Sequence, residues 1–346
     1  MNGNEGTIIV TGASGGLGGA IAARIASDPQ YSTYKALYTG RDEQRMSNLT
    51  AALANAQAPH RHEVLALDLT KLESVRDVAR DVNARVATGK LPPIRTLILN
   101  AGFQDFGHQS FTDDGLDTVF ATNYLGHWLL TLLLLQSMDR EKGRVVVIGS
   151  QSHDPHDPRN ARTGAFDDPK HKTIISDAAS FEAIAKGTFS SAAEDPTWRG
   201  GFRRYGASKF LAIMMQHELQ ARLDRDDRLK NICVVGVDPG TLITGHTRLA
   251  PWFIRVVLFS IIYPVILYLI PNGPIRSVSR AAEDVLSAGV GAVDEHEPPR
   301  DRYFFGREPM PTCEESRDPE KRKLVWRETV KLAGLETGDT ILADWQ

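Results

Sequence analysis

Short, continuously apolar runs punctuated by glycine or aspartate recur along the chain. Thr7-Ile8-Ile9-Val10, Ala36-Leu37-Tyr38-Thr39, Val64-Leu65-Ala66-Leu67, Thr96-Leu97-Ile98-Leu99, Val145-Val146-Val147-Ile148 and Ile232-Cys233-Val234-Val235-Gly236-Val237 are the clearest. Runs without polar alternation mark strands buried on both faces, as in a parallel sheet. Helical stretches lie between them: Gly19 to Ala26, residues 43 to 60, and a helix from about Leu72. A longer helix holds Thr122-Asn123-Tyr124-Leu125-Gly126-His127 and stays apolar through Leu135, so its surface is core or dimer interface. Downstream come a helix carrying Tyr205, a helix from Ser277 to Leu286, a last strand Tyr303-Phe304-Phe305, and helical spacing from Pro319 to Leu332. Alternation of this kind predicts an α/β fold, a doubly wound parallel sheet of about seven strands flanked by helices. No repeat, low-complexity tract or linker divides the chain, so residues 1–346 read as one domain.

Two stretches break the rhythm. Residues 151–204 are rich in Asp, Pro, His and Gly and include His153-Asp154-Pro155-His156-Asp157-Pro158, with Phe181 to Gly187 as a short helix. No separated ligand pair completes that His/Asp cluster, so no metal site is expected. From Pro251 to Pro271 the chain is almost wholly apolar, a length that approaches a membrane span. Arg255 near one end and Pro264 inside favour a substrate lid or an interfacial membrane contact over a span.

Composition adds exclusions. Lys+Arg of 40 against Asp+Glu of 43 leaves no basic excess, which argues against a nucleic-acid partner. Cys233 and Cys313 have neither metal-ligand spacing nor a disulfide framework. No secretory signal is read at the start, so the expected location is cytoplasmic, with membrane association as the alternative.

Two motifs carry chemistry. Thr11-Gly12-Ala13-Ser14-Gly15-Gly16-Leu17-Gly18 follows the first strand and opens a helix. Glycines there allow a tight turn and close approach of backbone to phosphate, and the helix N-terminus offers free N–H groups to an anion. Gly12, Ser14, Gly15, Gly16, Leu17 and Gly18 are therefore candidate cofactor contacts. In Tyr205-Gly206-Ala207-Ser208-Lys209 the tyrosine and lysine lie one helical turn apart on one face. At ~5 Å and an effective dielectric of ~20, a lysine cation favours the phenolate by ~3 kcal/mol, roughly two pKa units. The sequence thus predicts a tyrosine tuned down towards proton transfer.

Together these two motifs resemble the short-chain dehydrogenase/reductase family. The resemblance covers almost all of residues 7–335. It is nearest to the retinol-dehydrogenase-like, protochlorophyllide-reductase-like and WW-domain-oxidoreductase-like branch, which shares the long insert, the Asn-x-Leu-Gly-His helix and a C-terminal lid. Similar sequences with Arg-Arg-Tyr-Gly-Ala-Ser-Lys occur in fungi, some beside biosynthetic genes for secondary metabolites. The resemblance implies a Rossmann fold and assigns roles position by position. Ser150, at the end of the fifth strand, polarises the substrate oxygen, with Ser152 as fallback. Tyr205 is the acid-base group, Lys209 lowers its pKa and bonds the nicotinamide ribose, and Asn123 supports a proton relay; the plainer reading of Asn123 is a buried amide at a helix irregularity. Asp68 and Leu69 face the adenine, or Asp68 simply caps the next helix. Asn100, Ala101 and Gly102 support the cofactor region, and Pro239, Gly240 and Thr244 approach the nicotinamide carboxamide. At the end of the second strand Arg41 precedes Asp42, which favours the 2′-phosphate of NADP(H) over NAD(H), unless Arg41 is only a solvated loop charge.

The expected function is reversible hydride transfer between the nicotinamide and a carbonyl or alcohol of a bulky lipophilic small molecule, with a secondary metabolite in view. The segment 245–275 and the insert 151–204 would enclose it. The alternatives are a cofactor-binding regulatory protein with little turnover, and an enone or imine reductase. A homo-oligomer is compatible with the apolar helix.

Overall fold

The structure is a computed structural model and describes residues 6–41, 46–54, 60–242, 275–291 and 299–346. Six strands run parallel through its centre: β1 (Gly6–Val10), β2 (Tyr34–Gly40), β3 (His62–Ala66), β4 (Ile94–Leu99), β5 (Arg144–Ile148) and β6 (Cys233–Asp238). Two-residue strands β7 (Thr241–Leu242) and β8 (Ile275–Arg276) pair separately, and β9 (Tyr303–Phe305) and β10 (Glu308–Pro309) extend the main sheet. Its order is β10-β9-β6-β5-β4-β1-β2-β3. β9 joins β6 in parallel, and only β10 runs antiparallel. The expected seven strands are the seven parallel ones; the eighth is too short to leave an apolar run. The order reverses between β1 and β4, and at such a switch point α/β proteins bind ligands beyond the strand ends.

Helices cover both faces. α1 (Gly16–Ser27) and α2 (Ser47–Ala54) follow β1 and β2, and α3 (Leu72–Ala87) follows β3. α1 begins three residues before the predicted Gly19, because the last turn of the glycine loop is already helical. Of the helix predicted over 43–60, the described part is α2. The long apolar helix α4 (Thr118–Ser137) is capped by Asp117, whose carboxylate accepts the Val119 and Phe120 N–H groups. Of the two expectations for it, core and not dimer interface holds: 94% of its most apolar window is buried. It is the one helix among the described residues long and apolar enough to cross a membrane. Its second turn, Ala121–Leu125, is π-helical.

The insert is built of short turns around α5 (Ala178–Ala185), which starts three residues before the predicted helix because Asp177 and Ser180 form a capping box. It leads into α6 (Trp198–Leu223), which carries Tyr205 and Lys209. α7 (Val278–Val290) packs on the α1 side and α8 (Pro319–Ala333) on the α6 side. Trp326 of α8 meets Trp128 of α4 edge-on at 5.1 Å, and Tyr124 Oη and Thr329 Oγ1 are 2.7 Å apart. A turn ahead of α8, Glu315 accepts the Ile174 and Ile175 N–H groups, fastening the insert to the tail.

Candidate active site

The C-terminal ends of β1 and β4 meet at the switch point. Gly12 has φ +65°, a backbone region that L side chains rarely adopt, and a Cβ there would lie 2.7 Å from Ala101 Cα. At Gly18 a Cβ would lie 2.3 Å from Gly12 O and 2.8 Å from Ala13 Cα. Both sites demand glycine, and the loop folds tightly onto α1. Gly15 is the N-cap, contributes no side-chain cap, and no acidic residue occupies the first turn. The first-turn N–H groups of Gly16, Leu17 and Gly18 lie where phosphate oxygens can accept from them. Asn100 Nδ2 donates to Thr11 O at 2.8 Å, while Thr11 Oγ1 accepts from the Asn100 and Ala101 N–H groups. His127 is buried with Nε2 2.9 Å from the same hydroxyl.

Arg41 is exposed at the end of β2, next to Gly40, whose Cβ position is 3.5 Å from Ser14 Oγ. The glycine loop and the end of β2 that carries Arg41 are therefore neighbours. Asp68 does not cap α3: its N-cap is Lys71, and the Asp68 carboxylate instead takes the Thr70 N–H and hydroxyl at 3.0 and 2.7 Å. Leu69 is buried beside it. Pro239 is buried and Gly240 is left-handed at φ +75°. Asp42, Thr244 and the 251–271 stretch lie outside the described residues. The chain on either side of that stretch is joined, since Thr241 and Leu242 pair with Ile275 and Arg276 next to the end of β6.

Ser150 follows the end of β5 by two residues, and Tyr205 lies across from it on α6. The close approach needs Gly206, where a Cβ would come within 2.6 Å of Ser152 O. The Ser150 hydroxyl lies on the Tyr205 side of the turn and favours the ionised form of the phenol. Ser152, the fallback, instead donates its hydroxyl to Ser150 Oγ at 3.0 Å. Lys209 Nζ lies 5.6 Å from the Tyr205 ring centroid and donates to Ile148 O at 2.8 Å. Asn123 sits in the π-helical turn. Its Oδ1 accepts from Phe103 N–H, and its Nδ2 donates to Phe103 O and to Ser208 Oγ. Those bonds are the plainer of its two expected roles; its amide also borders the same open side of Gly102 as Lys209 Nζ.

The electrostatics correct one expectation. Tyr205 is not lowered in the protein alone. Burial pushes it up to about 12, the Ser150 hydroxyl opposes this, and the Asp238 carboxylate adds to it. Burial pushes Lys209 down to about 8, against the Asp238 charge. Desolvation of the pair outweighs the attraction estimated from spacing.

Sequence reasoning missed three neighbours. Asp238, at the end of β6, is 3% exposed. Tyr303 of β9 is buried against Gly149. Arg204 forks onto Asp105, Nε to Oδ2 at 2.9 Å and Nη2 to Oδ1 at 2.8 Å, and both side chains are 2% exposed. Only the Asp before Pro239-Gly240 had a local signal. Cavities of about 670 Å³, by His217 and Thr312, and about 830 Å³, by His156 and Glu315, lie towards the tail; neither is lined by Ser150, Tyr205 or Lys209.

Residues 6–161 match the profile described as short chain dehydrogenase. Over 99% of its own length and 99% of the relative's, the chain is 39% identical to the short-chain dehydrogenase iccH of Talaromyces variabilis. The protein is a short-chain dehydrogenase. This dehydrogenase is also 27% identical to the polyprenol dehydrogenase of Mus musculus, over 97% of this chain and 86% of that one. In fold it resembles the NADPH-bound carbonyl reductase from chicken fatty liver, with a TM-score of 0.57 at 15% identity, covering 88% of this chain and 98% of that one. As an oxidoreductase of this family it acts on a small molecule.

Proposed function

We propose that this dehydrogenase is an NADP(H)-dependent ketoreductase for a bulky, largely apolar carbonyl compound or the matching alcohol. The observation that carries the reading is the placement of Tyr205 and, one turn further along α6, Lys209 across from Ser150, with Lys209 Nζ bonded to Ile148 O at the end of β5 next to the glycine loop. In this reading Ser150 donates to the substrate oxygen and Tyr205 holds the proton that this oxygen gains or loses. Lys209 supplies the positive charge behind Tyr205, and Asn123 fixes the Phe103 loop beside it. Gly12, Ser14, Gly15, Gly16, Leu17 and Gly18 hold the pyrophosphate, and Arg41 the 2′-phosphate. Asp68 and Leu69 border the adenine. Asn100, Ala101 and Gly102, with Pro239, Gly240 and Thr244, flank the nicotinamide end. When bound, the nicotinamide supplies or accepts the hydride.

Support for a lipophilic substrate is twofold. The 252–270 stretch is apolar, and the residues flanking 243–274 are paired next to the end of β6. Apolar patches of that size mark interfaces or ligand grooves, and such a wall favours large apolar ligands by ~25 cal/mol per Å² buried. One relative is named for polyprenol, a long apolar alcohol.

The test is NADPH oxidation, followed by cofactor absorbance, across ketones, aldehydes and enones of rising size. Turnover should rise with apolar bulk, and Tyr205→Phe should abolish it while NADPH still binds. Near-normal turnover in Tyr205→Phe overturns the acid-base assignment. Binding of NADPH with no turnover on any ketone or aldehyde overturns the ketoreductase reading. Fluorescence titration should give tighter binding of NADPH than NADH, with the ratio reduced in Arg41→Ala.

A further inference from the structure

Asp238 is an unusual residue to find beside this tyrosine and lysine. It is almost fully buried. Its Oδ1 accepts the Gly240 N–H at 2.9 Å, while Oδ2 is buried without a hydrogen-bond partner. The nearest cation to Oδ2 is Arg159 of the insert, with Nη1 at 3.8 Å, too far for a hydrogen bond. Arg159 cannot turn fully towards it. Asp157 holds the Arg159 Nε at 3.0 Å from both carboxylate oxygens and Nη2 at 2.5 Å. The guanidinium also stacks on Phe305 at 5.2 Å, and Arg276 covers the same ring at 4.9 Å.

An unpaired buried carboxylate is costly unless charge offsets it. Among the described residues, titratable groups approach Asp238 from several elements. The turn after Ser150 brings His153, and the insert brings Asp157 and Arg159. Tyr205 and Lys209 come from α6, and Tyr303 from β9. Burial, the largest influence, pushes the Asp238 carboxyl up and Asp157 adds to it, whereas the Gly240 N–H, Arg159 and His153 favour the ionised form. The Asp238 charge in turn favours the protonated form of both Tyr205 and Lys209.

Building on the catalytic reading above, we propose that Asp238 is a positioning residue of the active site: its buried carboxylate, faced by Arg159 of the insert, is the counter-charge that acts on Lys209 and Tyr205 from the neighbouring strand end. The physical need is specific. Burial disfavours the Lys209 cation, and a neutral lysine neither favours a phenolate nor holds an anionic ligand. A carboxylate without a hydrogen-bonded partner at Oδ2 keeps its field unquenched. The insert thereby acquires a chemical role besides walling the site: it delivers the counter-ion of Asp238.

The test needs neither cofactor nor turnover, so it can fail while the ketoreductase reading stands. Protein labelled with ¹³C-lysine is titrated by NMR, with the Lys209 Cε resonance assigned by its loss in Lys209→Arg. Lys209 should titrate near 8 in the unmodified protein. In Asp238→Asn, which keeps the acceptor for Gly240, the midpoint should fall by about half a pH unit or more. Asp238→Glu should restore it. In the unmodified protein the same resonance should show a second, smaller inflection where a ¹³C-labelled Asp238 carboxyl titrates, and Arg159→Gln should move that carboxyl midpoint upward. An unchanged Lys209 midpoint in a folded Asp238→Asn variant overturns the proposal. Absence of the second inflection does so even if that variant does not fold. A residue that merely caps the Pro239-Gly240 turn would change thermal stability and leave Lys209 unmoved.

Discussion

Removing the Asp105 carboxylate should be among the most damaging single changes near the site. Its fork with Arg204 is dry, both partners being 2% exposed, and it ties the loop after β4 to the residue that precedes Tyr205. In Asp105→Ala the guanidinium keeps only the Ser190 carbonyl and a carboxylate oxygen of Asp117 at 3.8 Å. Stranding a buried charge costs about 3–5 kcal/mol. Unfolding entropy of about 2.1 cal/mol/K per residue over 346 residues is about 0.7 kcal/mol/K, so the melting temperature should fall by about 4–7 °C. Asp105→Asn keeps an acceptor oxygen and should lie between the two. The double variant Asp105→Ala/Arg204→Met removes both charges and should melt above Asp105→Ala alone, because the penalty belongs to the orphaned cation and not to the lost pair. Scanning calorimetry on the unmodified protein, these three variants and Arg204→Met alone decides it. A fall below about 1 °C in Asp105→Ala, or a double variant that only adds the losses of the two singles, would refute the reasoning.

Two further outcomes follow from the same structure. Gly18→Ala should cost at least about tenfold in NADPH affinity by fluorescence titration, since the new Cβ meets backbone at 2.3 and 2.8 Å and must displace the phosphate loop; unchanged affinity would remove this loop from the cofactor site. His127 is held down to about 3 by burial and the Lys209 charge, so the unfolded chain binds its proton first and stability is lost as pH falls below about 6.5. Between pH 7 and 5 this histidine alone should take away about 2 kcal/mol, and His127→Gln should show a correspondingly flatter fall in melting temperature.

The parallel strands were legible because each is buried on both faces and so reads as an unbroken apolar run. The glycine loop was legible because much of its geometry is local: Gly15 and Gly18 both pack against the Gly12 carbonyl, although Gly12 itself is also hemmed in by Ala101 from the end of β4. What escaped was tertiary. Arg204 and Asp105 are 99 positions apart. Arg159 reaches Asp238 only because the insert folds back over β6, and nothing in the spacing of either residue signals it. The direction of the Tyr205 shift was misjudged for the same reason. The distance to Lys209 follows from helix geometry, whereas the burial that outweighs it depends on what packs above. The Asp68 cap failed by three residues, because the chain makes a separate turn at Thr70 before α3 begins.

The bond between Tyr124 and Thr329, with Trp326 against Trp128, has a consequence for synthesis. Lys209 leaves the ribosome 120 residues before Thr329, a gap of about 6–24 s at 5–20 residues per second. Through that interval the face of α4 beneath Asn123 lacks its cover, and the insert lacks the Glu315 carboxylate that takes its amides. A nascent chain can complete its sheet and glycine loop in that time, but its catalytic wall must wait for α8. Translation order thus makes cofactor affinity the earlier property and turnover the later one. A chain stalled before residue 314 would lack the contacts that cover α4 and fasten the insert.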